Sequence, residues 1–252
     1  QCALVTPQID LRSAHALTLS CYILNFRSVV NGGAITPGVP ASFMPKPSPN
    51  HPGSAMHTHM SPFEGYRNAF HDDDDPYELS DTGRAFVAGI LAHAREITAV
   101  TNQWVNSYKR LIIGGEAPTA VCWGHRNRSA LVRVPMYSPG KASSRRVEIR
   151  TPDSACNPYL AYAVILAAGL RGVQQGYQLP PPAEDDVWSL SERERRAAGY
   201  APLPETLAEP LGATAKSELV AGTRGGHGYD LCPAHTRATW DEYRSAVPPS
   251  RA

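Results

Sequence analysis

The sequence predicts an α+β chain, and three observations carry that reading. Two long segments, near 81–100 and 158–176, repeat apolar residues at helical spacing. Two short segments, 131–134 and 145–150, alternate in character as strands do. The second of these puts charged residues on one side and apolar residues on the other, as expected of a sheet covered on one face.

Taken in order, Leu11 to Val30 is predicted as an amphipathic helix. Leu11, Ala14, Leu17, Cys21 and Leu24 follow 3–4 spacing, with Gly32 and Gly33 as the stop. Ala41 to Met44 is a short strand candidate before the Pro45-Lys46-Pro47 turn, and Ser54 to Ser61 is another. Asp72 to Asp75 reads as a solvated acidic loop, because the glycine and terminal glutamate of a calcium loop are absent. Ser80 or Asp81 should cap a long helix to about Val100, with Phe86, Ile90, Ala94 and Ile97 facing inward. Asn157 followed by Pro158 is a helix start. That helix is mostly apolar through Leu170 and ends near Gly176, so deep burial is expected. Ser191 caps a short polar helix, Gly222 to Gly226 reads as a loop, and the last helix is expected at about His235 to Ser245.

Composition narrows the function. The chain has 252 residues, 24 Lys+Arg against 23 Asp+Glu, and 42% apolar residues. This is ordinary globular composition with ample chain for a core. A net charge of +1 argues against a dedicated nucleic-acid binder. No run approaches the ~20 apolar residues of a membrane span. Five cysteines, odd in number and without a CxxC, fit a reduced, cytoplasmic chain better than a disulfide framework. There is no GxSxG and no phosphate-binding P-loop, and Cys122 and Cys156 read as core residues.

The near-neutral total hides one strongly basic window. Between Lys109 and Arg150 stand nine cations, among them Lys141, Arg145 and Arg146. Only Glu116 and Glu148 oppose them, for a local net of +7. Such a run is commonly a solvated face. Here, strand geometry puts Arg146, Glu148 and Arg150 on one side, with Val147 and Ile149 on the other. On a cleft wall, that carboxylate could ligate a metal while the guanidiniums clamp phosphate or carboxylate oxygens. In Met56-His57-Thr58-His59 both histidines project from one face; paired with Glu148 they make a plausible site for a hard divalent cation. Glu116 follows Gly114-Gly115 and precedes Ala117-Pro118. It is either a solvent-exposed loop acid or a carboxylate brought over a substrate, and periodicity does not separate the two.

These motifs resemble the glutamine synthetase family. They are Met44 to Pro47, Gly53 to His59, Asn106 to Leu111, the GGEAP loop, Asn127 to Pro135, and Arg145 to Leu160, collinear over roughly residues 8 to 200. The wording is most similar to an actinobacterial branch, some of whose members join glutamate to amines larger than ammonia. The resemblance covers only the C-terminal catalytic part of a family member, so the N-terminal domain is expected to be missing. It implies a curved antiparallel sheet flanked by helices, with residues after about 200 peripheral.

The resemblance also implies a chemistry: ATP phosphorylates the glutamate γ-carboxylate, and ammonia or an amine then displaces phosphate. His57 and Glu148 match ligands of a metal, Mg²⁺ or Mn²⁺. Arg110 and Gly53 match substrate-binding positions. His59, Ser61, Arg128, Arg133 and Arg146 match nucleotide-side contacts. Arg128 and Arg150 match residues stabilising the phosphoryl group and the γ-carboxylate, and Glu116 matches the acid that deprotonates the incoming ammonium. Where the family carries a metal-binding Glu, this chain has Gln8, a poorer ligand. The tyrosine that some members adenylylate falls near Trp188, so that control is not expected. Family members form ring oligomers completed by their N-terminal domains, so stable rings are not expected of this chain alone. A binding or regulatory protein without turnover is the alternative.

Overall fold

The computed structural model describes residues 8–35, 38, 41–112, 116–136 and 142–246, with side chains throughout except at 224–233 and 235. Gly114, Gly115 and Lys141 lie outside these residues. In chain order the elements are α1 (Ala16–Ile35), β1 (Thr58–Met60), β2 (Phe63–Glu64), β3 (Arg67–Asn68), α2 (Asp81–Thr101) and α3 (Val105–Tyr108). There follow β4 (Ala120–Val121), β5 (Trp123–His125), β6 (Val132–Val134), a 3-10 turn at Ala142–Ser144, β7 (Val147–Ile149) and α4 (Pro158–Gln175). Last come α5 (Glu192–Ala197), β8 (Ala201–Pro202), α6 (Ala208–Thr214) and α7 (Glu218–Ser245).

The central sheet has the order β1-β7-β6-β5. β1 and β6 both run antiparallel to β7, but β5 pairs with β6 in parallel. The sheet is therefore mixed, a correction to the expected antiparallel one. The α+β class holds. Val132, Val147, Ile149 and Trp123 point from the sheet into the main core. There they meet Phe86, Ile90, Ala94 and Ile97 of α2 and Val164, Ile165 and Ala168 of α4. The two helices approach so closely that a Cβ on Gly89 would lie 2.3 Å from the Ala168 carbonyl oxygen. That contact explains two glycines, Gly89 and Gly172, in helix interiors where glycine is otherwise unfavourable.

The cap assignments agree with the sequence. The Ser80 hydroxyl accepts from Gly83 N, Asn157 accepts from Tyr159 N and Leu160 N, and Gly176 closes α4 at φ 63°. Other expectations change. α1 starts later than expected and runs through Gly32 and Gly33; Ser20 and Ile23 are its buried residues, while Leu11, Leu17 and Leu24 are exposed. Apolar residues lie on all its sides, so periodicity could not choose the packed one. Ala41 to Met44 forms no strand, because the Phe43 carbonyl accepts the Ser154 hydroxyl instead of a ladder bond. α4 buries one face, with Tyr159 and Leu170 exposed.

The largest change is at the C-terminal end. Gly222 to Gly226 is helical, within α7. Ser217 caps that helix through Val220 N, and Leu219 and Val220 enter the main core. Tertiary packing there overrides the low helix propensity of glycine. The segment after 200, expected to be peripheral, also buries Leu203, Leu207 and Leu211. No helix of the described residues is long and apolar enough to cross a membrane.

Candidate active site

The site is built on one rung of the sheet. His59 on β1, Glu148 on β7 and Arg133 on β6 stand in register across three strands. The neighbouring rung, Thr58, Ile149 and Val132, takes the opposite face, and Ile149 and Val132 fill the core. Period-2 alternation thus places a charged and polar row on one face of the sheet and a largely apolar neighbouring row on the other.

Glu148 is the focus. It is 3% exposed, yet its carboxylate meets His57 Nδ1 at 3.1 Å, the Arg133 guanidinium in a close ion pair, and Arg150 Nε at 3.6 Å. Burial works against its ionisation. The His57 hydrogen bond and the charges of Arg133, His57 and His59 outweigh burial and hold the carboxyl down at about 2. Burial also lowers the pKa of His59; the Arg146, Arg133 and His57 charges add to this, and Glu148 opposes it. The imidazole of His59 therefore favours its neutral form.

Arg150 is 7% exposed, and among the described residues its buried Nη1 has no hydrogen-bond partner. Buried guanidinium donors without acceptors are costly. Arg110 lies behind it with the opposite arrangement. Its Nη1 donates to the Thr151 carbonyl at 2.8 Å and its Nη2 to the Arg150 carbonyl at 3.0 Å. Arg110, the residue expected to contact substrate, thus also braces the backbone of Arg150. Gly53 packs against Arg110, where a Cβ would lie 2.5 Å from the Pro45 carbonyl oxygen and 2.9 Å from Arg110 Cγ. The glycine is required by this close approach.

The other expected residues surround this rung. Ser61, just past β1, donates to the Arg145 carbonyl at 2.7 Å. Arg146 is half-buried and its charge reaches His59. Glu116 is exposed with φ 58°, and its charge, like that of Arg128, reaches Arg150. Arg128 is exposed beside an open pocket of about 360 Å³, lined also by Arg126, Glu184, Asp186 and Trp188. Gln8 is exposed and donates to Asp10. The +7 window therefore divides. Arg145, 2% exposed, pairs with Glu78 and the Pro135 carbonyl as a structural cation, while Arg133, Arg146 and Arg150 face the site.

The donor set limits what cation could sit here. His57 and Glu148 are adjacent, but no group of three or more His, Cys, Asp or Glu converges among the described residues. Mg²⁺ is commonly held by one or two carboxylates together with water and substrate phosphates. The pair fits such a shared cation, not a complete protein cage.

Residues 5–251 match the family described as glutamine synthetase, catalytic domain. This chain belongs to the glutamine synthetase family. It is similar to the glutamine synthetase of Mycolicibacterium smegmatis, 62% identical over 242 residues, which are 96% of this chain and 54% of that one. It is 42% identical to the glutamine synthetase of Thermus thermophilus over 95% of this chain and 53% of that one. Among solved structures, a GmaS–ADP complex superposes with a TM-score of 0.82 at 33% identity, covering 94% of this chain and 54% of that one. The chain spans about half the length of the curated relatives it matches.

Sequence reasoning missed a second polar cluster beneath the glutamine synthetase rung. Asp153 is fully buried; Asn102 bonds it and the Thr151 carbonyl, and Tyr108 donates to the Asn102 carbonyl at 3.0 Å. The signal was present in part, since Asp153 and Asn102 are polar residues flanking strongly apolar elements.

Proposed function

We propose that this domain joins the γ-carboxylate of glutamate to ammonia or an amine at the expense of ATP. The observation supporting this most is the buried Glu148, ringed by His57, Arg133 and Arg150, with Arg150 Nη1 lacking an acceptor among the described residues. Such a site has cationic donors prepared for the extra negative charge of phosphoryl transfer.

A glutamate γ-carboxylate oxygen attacks the γ-phosphorus of ATP, and the bond to the bridging oxygen breaks to release ADP. The nitrogen of the amine then attacks the γ-carbonyl carbon of the acyl phosphate, and inorganic phosphate leaves with the bonding pair. Glu116 accepts the proton lost by the ammonium. Arg150 and Arg128 neutralise the transferring phosphoryl oxygens. Arg133, Arg146, His59 and Ser61 line the nucleotide side. Arg110 and Gly53 bind glutamate, and Arg110 also braces the Arg150 backbone. His57 and Glu148 would hold Mg²⁺ or Mn²⁺, which neutralises phosphate charge when bound. The ADP in the GmaS complex supports the nucleotide assignment. Free, buried Cys122 and Cys156 suit a reducing, cytoplasmic setting.

The test is ADP release that requires glutamate, Mg²⁺ and an amine together. No turnover with ammonia, polyamines or small amines would refute the ligase reading. A second reading, nucleotide binding without turnover, is favoured by the exposed Gln8 and by the two-residue donor set. Calorimetry showing ATP binding with one Mg²⁺ or none, and no turnover, would support it. Two tightly bound metals would exclude it.

A further inference from the structure

The segment 183–188 bonds residues adjacent in sequence to two of the proposed catalytic side chains. On one side, Asn127 Nδ2 donates to the carbonyls of Ala183 and Asp185, both at 2.8 Å. The Ser129 hydroxyl accepts from Val187 N at 2.8 Å. Asn127 and Ser129 are the immediate neighbours of Arg128. On the other side, the Trp188 indole Nε1 donates to the Ala117 carbonyl at 2.9 Å, and Ala117 follows Glu116. The strap is itself rigid. Val187 is fully buried with Ala120, Cys122 and Ala130, and Asp186 receives Trp188 N and the Ser189 hydroxyl in a local turn.

Glu116 occupies left-handed backbone space, φ 58°, without being glycine or asparagine. A non-glycine residue keeps such a conformation when its surroundings over-determine it. Ala117, 1% exposed and packed among Tyr108, Leu111 and Leu207, is the fixed point on its C-terminal side. The indole hydrogen bond is the polar tie at that point. One strap therefore links the neighbours of Arg128 to the residue that follows Glu116.

We infer that Trp188 is a positioning residue, which through its hydrogen bond to Ala117 sets where the Glu116 carboxylate stands relative to Arg128. Its catalytic consequence rests on the ligase reading above; its structural part does not. Oriented groups lose rate steeply when displaced by about 1 Å, so the effect should fall on kcat.

The experiment compares wild type with Trp188→Phe, which keeps an aromatic ring and removes the N–H. Hydrogen exchange should rise about three- to tenfold at the amide of Leu203, which donates to the Thr119 carbonyl two residues past Ala117. Exchange at Val147 to Ile149 should stay unchanged. In the ligase assay, kcat should fall about tenfold while KM for ATP stays within about twofold. Unchanged exchange at Leu203 would overturn the inference. So would a kcat loss matched by a proportional fall in thermal midpoint, which would mark Trp188 as packing alone. If Trp188→Phe does not fold, Ser129→Ala cuts the opposite tie of the strap. It should raise exchange at Val187 and lower kcat without changing exchange at Val147 to Ile149; no change at Val187 overturns the strap. A wild-type protein without turnover would refute the ligase reading alone, because the exchange measurement still decides whether Trp188 holds Ala117.

Discussion

Arg110 and Arg150 are both buried, both lie beside a buried carboxylate, and touch through one backbone carbonyl. Their hydrogen bonding differs. Arg110 donates to two main-chain carbonyls, and nearby Asp153 accepts from Ala155 N and sits 3.5 Å from Asn102. Around Arg150, the Nε stands 3.6 Å from Glu148 and Nη1 has no partner among the described residues. The difference separates two uses of one residue type. A guanidinium saturated by backbone is part of the fold. One with spare buried donors is prepared for an anion that arrives and leaves.

The largest expected effect tests the saturated side. Arg110→Ala leaves the Arg150 carbonyl without a donor, the Thr151 carbonyl with Asn102 alone, and Asp153 without its cation. Burial already raises the pKa of Asp153, so the lost compensation should cost about 3 kcal/mol of folding stability. Denaturant titration would read it. A variant of unchanged stability that loses only glutamate affinity would show that Arg110 serves the substrate and not the fold.

Next in size is Arg150→Lys, which keeps the charge and removes the fork. We expect kcat to fall about 100-fold, with stability within ~0.5 kcal/mol of wild type. A stability loss as large as that of Arg110→Ala would erase the distinction between the two arginines.

A third test uses pH. The folded pKa of Glu148, about 2, lies below its ordinary 4.5. A depressed carboxyl contributes stability above its unfolded pKa and loses it as pH falls from 4.5 through 2. Relative to Glu148→Gln, wild type should therefore lose on the order of 2 kcal/mol as pH drops through that window. His59 acts earlier. Its pKa is lowered, so acidification below 6.5 costs stability until the folded group protonates. A wild-type and Glu148→Gln difference that stays constant from pH 4.5 downward would show that the rung does not hold Glu148 ionised.

The sequence made one of these two sides visible. Arg146, Glu148 and Arg150 alternate with Val147 and Ile149, and period 2 is enough to align them before any contact is known. The caps at Ser80, Asn157 and Ser191 were equally readable, since each is a local bond between a side chain and the next turn. Arg110 was not readable in this way. Its partners, Arg150 and Thr151, lie 40 and 41 residues away, and no pattern distinguishes an arginine facing a carbonyl from one facing a ligand. The same limit hid the parallel pairing of β5 with β6 and the helix through Gly222 to Gly226, where long-range packing decides.

The smallest effect probes the edge of the saturated cluster. Tyr108 is 4% exposed, and burial pushes its phenol well above the ordinary range, so it stays a donor. Its hydroxyl meets the Asn102 carbonyl at 3.0 Å, one shell away from Arg110. Tyr108→Phe removes that bond and leaves the ring in place among Ala99, Leu111 and Leu207. The cost should be about 1 kcal/mol, the net worth of one buried hydrogen bond. kcat and KM should not change, because Asn102 keeps its bond to the Thr151 carbonyl and so holds the backbone that Arg110 braces. If KM for glutamate rises instead, strain passes from Asn102 through Thr151 to Arg150, and the two clusters act as one site.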